Sequence, residues 1–150
     1  MIGVVLDKID HSILSFNIFS CLNELSKKHN CYVFSNEVLA LPMKNNFAIL
    51  QQSSIFQHHG VLISTSFLNT QTVNNSLMAD KKYFYLQNLD WYSIENINYG
   101  QISSIIHNPE LELIARGKTH YDVISKVLKK PKHLIVNWDA EELERAVLNE

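Results

Sequence analysis

Short runs of consecutive apolar residues, each closed by polar or turn-forming residues, recur along the whole chain and alternate with longer stretches of helical spacing. IGVVL (2–6) is a continuous, partly β-branched run, the signature of a strand covered on both faces. Six more segments read the same way: CYVFS (31–35), FAILQ (47–51), VLISTS (61–66), KYFYLQ (82–87), LELIAR (111–116) and HLIVN (133–137). Between the first two, Ile13, Leu14, Phe16, Ile18, Phe19, Leu22 and Leu25 form one broad apolar stripe. Ser12 stands where a cap belongs, and KKHN ends the helix.

SSIFQHH predicts a short helical turn stopped by Gly60, and TQTVNNSLMA a weak helix, being rich in residues that prefer caps and turns. ISSIIH predicts a helix ended by Pro109, and THYDVISKVLKK another, with Tyr121, Ile124, Val127 and Leu128 on one face. Asp139 and Glu142 form a D-x-x-E start for the final helix, EELERAVL. Steady strand–helix alternation implies right-handed crossovers. The expected fold is α/β: a three-layer Rossmann-like domain with a mainly parallel sheet of six or seven strands and helices on both faces. At 150 residues, without repeat or linker, the chain reads as a single domain over 1–150.

Composition changes this picture little. Hydrophobic residues at 46% and charged residues at 19% fit an ordinary globular protein. A net charge of −2 gives no general attraction to nucleic acid, and Lys129, Lys130 and Lys132 read as a basic helix end. No apolar run reaches the roughly 20 residues of a membrane span, and MIGVVLDKID lacks the pattern of a signal peptide. The expected setting is cytoplasmic. Cys21 and Cys31 read as free buried thiols, and with no CxxC pair a zinc site is not expected. The adjacent His58 and His59 point in different directions on a helical turn and make no metal site by themselves. Abundant Asn and Ile with scarce Gly and Pro is the composition expected of an AT-rich genome, as in viruses and low-GC bacteria.

In parallel sheets ligands bind beyond the carboxyl ends of the strands, where strand order reverses, so the polar residues following each strand are the candidate chemistry. Asp10 and His11 follow the first strand and supply a base and its orienter; Asp90 is a second base candidate. Gln87, Asn88 and Trp91, in the stretch FYLQNLDW, are ligand-binding candidates. So are Arg116, Lys118 and His120, where Gly117 permits close approach or an unusual φ beside an anion. Asp7, Ser64, Thr65 and Ser66 belong to the same rim. DKIDHS replaces any glycine-rich dinucleotide turn after the first strand, and neither a P-loop nor a G-x-S-x-G elbow occurs.

VLISTS followed by a helix, KKYFYLQNLDW, LELIARGKTHYDVISKVLKKP and HLIVNWDAEEL together resemble the N-terminal, acceptor-side half of GT-B glycosyltransferases, over residues 1–140. The resemblance implies an acceptor-binding Rossmann-like domain, with a nucleotide sugar as donor substrate and no resident cofactor. Two departures stand beside it: the family's glycine-rich turn after strand one is missing, and 150 residues leave no room for the donor-binding domain. The alternative expectation is a non-catalytic module that binds a small ligand, a protein partner or a second copy of itself, through an aromatic surface of Tyr83, Tyr85, Trp91 and Tyr92.

Overall fold

The computed structural model describes residues 1–148. Seven strands form one parallel sheet in the order β5-β3-β1-β6-β7-β8-β9, and two short strands, β2 (Lys8–Ile9) and β4 (Glu37–Val38), pair beyond its rim. The seven are β1 (Ile2–Val5), β3 (Cys31–Phe34), β5 (Ala48–Leu50), β6 (Gly60–Ser64), β7 (Ala79–Leu86), β8 (Leu111–Ala115) and β9 (His133–Leu134). All seven expected strands are present, and the fold is the three-layer Rossmann-like arrangement. The chain leaves β1 toward β3 and β5 on one side, then returns to β6 on the other. Strand order therefore reverses between β1 and β6, which pair from Ile2↔Val61 to Val5↔Ser64.

Helix α1 (Ile13–Leu25) covers one face, and α5 (Ala140–Leu148) packs beside it. Their core joins Ile18, Phe19 and Leu22 to Val4, Val33, Ile63, Tyr83 and Tyr85 of the sheet, and to Trp138, Leu143 and Val147. The other face carries a 3-10 turn (Gln52–Gln57), α2 (Phe67–Asn74), α3 (Tyr99–Ile106) and α4 (Lys118–Val127). There Phe67, Phe84, Leu86, Trp91, Ile106, Leu113 and Ile124 form a second core, and Val5, Phe34, Ile55, Leu62 and Val73 a third. Alternate residues of β7 face opposite ways, Tyr83 and Tyr85 into the first core and Phe84 and Leu86 into the second. A strand sandwiched in this way has no solvent face to reserve for polar residues.

Local signals fix the helix starts. Ser12 accepts the Ser15 amide at 3.2 Å, and Asp139 accepts the Glu142 amide at 2.9 Å, both as expected. The weak helix begins earlier than its sequence suggests, because Ser66 and Asn69 form a reciprocal capping box, and it ends at Asn74 before SLMA. Cys31 opens β3, and both cysteines are free and buried. Burial pushes the Cys21 thiol up to about 12 and that of Cys31 to about 11, so neither is a reactive thiolate.

The aromatic surface expected from the sequence does not form as such. Tyr83, Tyr85 and Trp91 are buried, and of that set only Tyr92 is exposed.

Gly117 also departs from expectation. Its φ is 179°, ordinary extended backbone, and an added Cβ would meet nothing within 4 Å. Gly60 is the position that requires glycine: its φ is +100° and a Cβ there would lie 2.5 Å from the Met1 carbonyl oxygen. Gly60→Ala should therefore destabilise the fold by more than about 1 kcal/mol in urea unfolding, through backbone strain and the clash. Gly117→Ala should stay within about 0.5 kcal/mol of the parent.

Candidate functional site

Parallel pairing puts the ends of β1, β6, β7 and β8 on one rim. Asp7, Thr65–Ser66, Gln87–Asp90 and Arg116 thus emerge on the same edge of the molecule. Beyond Val5 and Ser64 the two central strands part, and ladder groups lose their partners. The side chain of Asn69 fills this gap. Its Nδ2 donates to the Val5 carbonyl at 3.1 Å and to Asp7 Oδ1 at 3.2 Å, while its Oδ1 accepts the amides of Thr65 at 3.1 Å and Ser66 at 3.2 Å. Thr65 Oγ1 also donates to the Val5 carbonyl at 2.8 Å. The crevice at the reversal point is sealed by the protein's own amide and hydroxyl, so its free polar groups lie one layer further out.

Two carboxylates occupy that layer, both held by the start of α2. Ser66 Oγ donates to Asp7 Oδ1 at 2.8 Å, and the Phe67 amide donates to Asp90 Oδ2 at 2.8 Å. Asp7 is exposed. Asp90 is half-buried, and its Oδ1 is shut from solvent with no hydrogen-bond partner. Desolvation raises the Asp90 pKa above the usual carboxylate value; the Phe67 amide opposes this, and the charge of Asp7 adds to it. A half-buried carboxyl of raised proton affinity on such a rim is a candidate proton acceptor.

The other sequence candidates divide. Asp10 is committed to capping α1: its Oδ1 accepts the Ser12 amide at 3.0 Å and Ser15 Oγ at 3.2 Å, and Lys8 lies 3.4 Å from Oδ2. Hydrogen bonds from Ser12 pull its pKa down to about 2, so it is a poor base near neutrality, against the role expected of it. His11 is exposed beside it, at the start of α1 and not with Asp90. Trp91 packs against Phe67 with ring centroids 5.8 Å apart, which makes it chiefly a core residue. Gln87 is partly buried and Asn88 exposed on the rim.

Arg116 is exposed at the end of β8. Lys118 turns along its own helix, 3.2 Å from Asp122 and 5.4 Å from the Tyr121 ring centroid, so the cation pair expected here reduces to Arg116. His120 has a buried Nδ1 without a partner, and desolvation, then Arg116, lower its pKa. The rim thus carries carboxylates over β1, β6 and β7, and a guanidinium with a neutral imidazole over β8.

The remaining basic and histidine clusters are structural. Lys129 Nζ donates to the Leu111 and Asn108 carbonyls, and Lys132 pairs with Glu112 at 2.8 Å. His58 is buried between Tyr32 and Phe34, its Nε2 3.1 Å from the Val61 carbonyl. Among the described residues no group of three or more metal-ligating side chains comes together, and no helix is long and apolar enough to cross a membrane.

No family model matches the chain, and neither a curated protein nor a solved structure matches it. The reading of the site accordingly rests on its chemistry.

Sequence reasoning passed over Asn69. The only available signal was its place three residues after Ser66, the spacing of a capping box. Asn69→Ala strands the Thr65 and Ser66 amides and leaves the Val5 carbonyl with Thr65 Oγ1 alone, and should cost about 2 kcal/mol or more in denaturant unfolding.

Asp90→Asn keeps an acceptor for the Phe67 amide and removes the desolvated charge. A raised folded-state pKa means that stability is complete at acid pH and is lost as pH rises through that pKa. The stability of Asp90→Asn relative to the parent should therefore increase as pH rises above the ordinary value of 3.8 and then level off. Paired urea titrations from acid to neutral pH measure it.

Proposed function

We propose that this chain is the acceptor-side domain of a glycosyltransferase-like enzyme, with its reacting centre on the rim beside Asp90. The observation that carries the reading is the half-buried Asp90 carboxyl on the rim, anchored through Oδ2 by the α2 amide and raised in proton affinity above an ordinary carboxylate by desolvation. Such a group is matched to withdrawing a proton from an acceptor hydroxyl as that oxygen attacks the sugar carbon. The bond that breaks joins that carbon to the nucleotide phosphate, and the departing charge calls for a cation. Arg116, two strands from β6 on the same rim, is the exposed guanidinium available for it. Asp10 is not part of this arrangement, since its hydrogen bonds hold it as a low-pKa cap.

The sheet order supports the same reading. It places Gln87, Asn88 and Asp90 beside the reversal point, where α/β sheets take their ligands. The resemblance of HLIVNWDAEEL and its preceding segments to the acceptor-side half of GT-B enzymes adds a fold-level argument of the same direction.

Purified protein is expected to show a thermal shift with UDP or GDP that Arg116→Ala abolishes. It is also expected to release or transfer sugar from a nucleotide sugar, at a rate that Asp90→Asn lowers by about 100-fold or more. Absence of both a nucleotide-dependent shift and any turnover across UDP-, GDP- and other nucleotide sugars overturns the proposal.

A further inference from the structure

The seven-stranded sheet ends in two edge strands, β5 and β9, and the chain finishes them differently. An edge strand leaves a row of main-chain N–H and C=O groups without ladder partners, and proteins guard such rows with charge, proline or brevity. β9 has all three: it is two residues long and follows Lys130, Pro131 and Lys132. β5 has no charge and no proline within it or beside it. Between Lys44 and Asp80 the chain contains no Asp, Glu, Lys or Arg, so the strand and the 3-10 turn that follows it are uncharged throughout.

The direction of the open groups follows from the pairing. The Leu50 carbonyl accepts the Ser35 amide at 3.0 Å, so the main chain of Leu50 faces β3, with which Ala48, Ile49 and Leu50 pair. Main-chain groups alternate in direction along a strand, so those of Ile49 face away from the sheet. Asn45 Nδ2 covers the Phe47 carbonyl at 2.7 Å, but no side chain among the described residues bonds Ile49. Ala48 and Leu50 share one face of the strand, and both are exposed. The crossover leading into β5 leaves Leu39 and Leu41 exposed, and the turn after it Phe56.

We infer that this edge is a self-association surface whose partner is the β5 edge of a second copy of the chain, paired antiparallel about a two-fold axis at Ile49. In that register the two copies of Ile49 exchange both N–H···O bonds, as directly opposed residues of an antiparallel pair do. Ala48 of each copy then lies opposite Leu50 of the other, a small side chain against a large one. The two copies of Lys44, the nearest charged residue, fall on opposite sides of the axis, and a net charge of −2 gives little repulsion between chains. A strongly charged partner would find no counter-charge on this edge. The contact is isologous and closes at two subunits. β3, β1 and β6 separate β5 from β7, so the Asp90 rim stays open in the dimer.

Sedimentation equilibrium from micromolar to millimolar concentration reads the association. The weight-average mass is expected to rise from the 17.3 kDa of one chain toward that of two, and the Ile49 amide to exchange more slowly with deuterium as the dimer fills. Ala48→Lys combined with Leu50→Lys sets like charges directly opposite each other and should weaken dimerisation by at least about tenfold. Ala48→Glu combined with Leu50→Lys sets opposite charges in the same places and should regain most of the association. Val136→Lys, at an exposed position beside the guarded β9 edge, should leave it unchanged. Circular dichroism checks that each variant is folded.

A mass that stays at one chain throughout overturns the inference and leaves the edge to an extended segment of another protein. Association undiminished by the paired lysines, not regained by the Glu–Lys combination, or lost equally in Val136→Lys overturns it as well. Failure here is distinguishable from failure of the transferase reading, since none of these measurements contains a nucleotide or requires turnover.

Discussion

Parallel strands that part company leave carbonyls and amides with nothing to bond, and unmade hydrogen bonds in a dry interior cost about 1–3 kcal/mol each. The rest of this structure depends on how that is resolved between β1 and β6. One carboxamide, Asn69, satisfies the end of β1 through the Val5 carbonyl and the end of β6 through two amides. It can do so because Ser66 starts α2 immediately after β6, which brings Asn69 around the first helical turn to the gap. Ser64 and Thr70 close the layer below, with their hydroxyls 2.6 Å apart. The crevice that many parallel sheets leave open to a ligand is therefore filled from within. The carboxylates that the same helix start holds lie further out on that rim.

The two faces of the sheet are finished by different means. On the α2 side, α3 and α4 follow their strands in turn and cover β7 and β8 with aliphatic and aromatic side chains. On the α1 side, only the crossover from β1 to β3 contributes a helix, and β6 to β9 would stay bare. The strained turn at Asn137–Trp138 redirects the chain from the edge strand β9 back over that face, and Leu143 and Val147 complete the core. Glu144 fastens α5 to the end of α1, 2.7 Å from His29 and 3.1 Å from Lys28. The last helix is thus a structural lid on the first core.

What could be read from the sequence follows from these arrangements. Every strand of the sheet was visible, because strands buried on both faces must be runs of apolar residues whatever their neighbours. The β2–β4 pair was not, since two-residue strands of exposed Lys8, Glu37 and Val38 leave no periodic trace. Ser12 and Asp139 were recognisable as caps from local spacing. Asp10 was not recognisable as part of the same cap, because a carboxylate two residues before Ser12 has the same appearance whether it binds amides or ligand. Asp90 reads as a base candidate from its place after β7, but its burial and its anchor on the Phe67 amide, 23 residues earlier, leave no trace in the local sequence. Trp91, its neighbour, points into the core instead. Contacts between distant segments decide such cases, and a single sequence does not contain them.

Asp90 also raises a question of economy that bears on function. Closing the start of α2 requires one acceptor for the Phe67 amide, and Asn, Ser or Asp are comparable as caps. A carboxylate in this position brings a second oxygen that finds no partner, a desolvated charge, and repulsion from Asp7. Each of these opposes folding, whereas an asparagine would retain the hydrogen bond without the charge. The stabilising role alone therefore selects against the residue that is present. Those same features raise the proton affinity of Asp90 above that of an ordinary carboxylate, desolvation first and the charge of Asp7 after it. The balance of costs at this one side chain is therefore not accounted for by capping, for which a neutral amide would serve the start of α2 better.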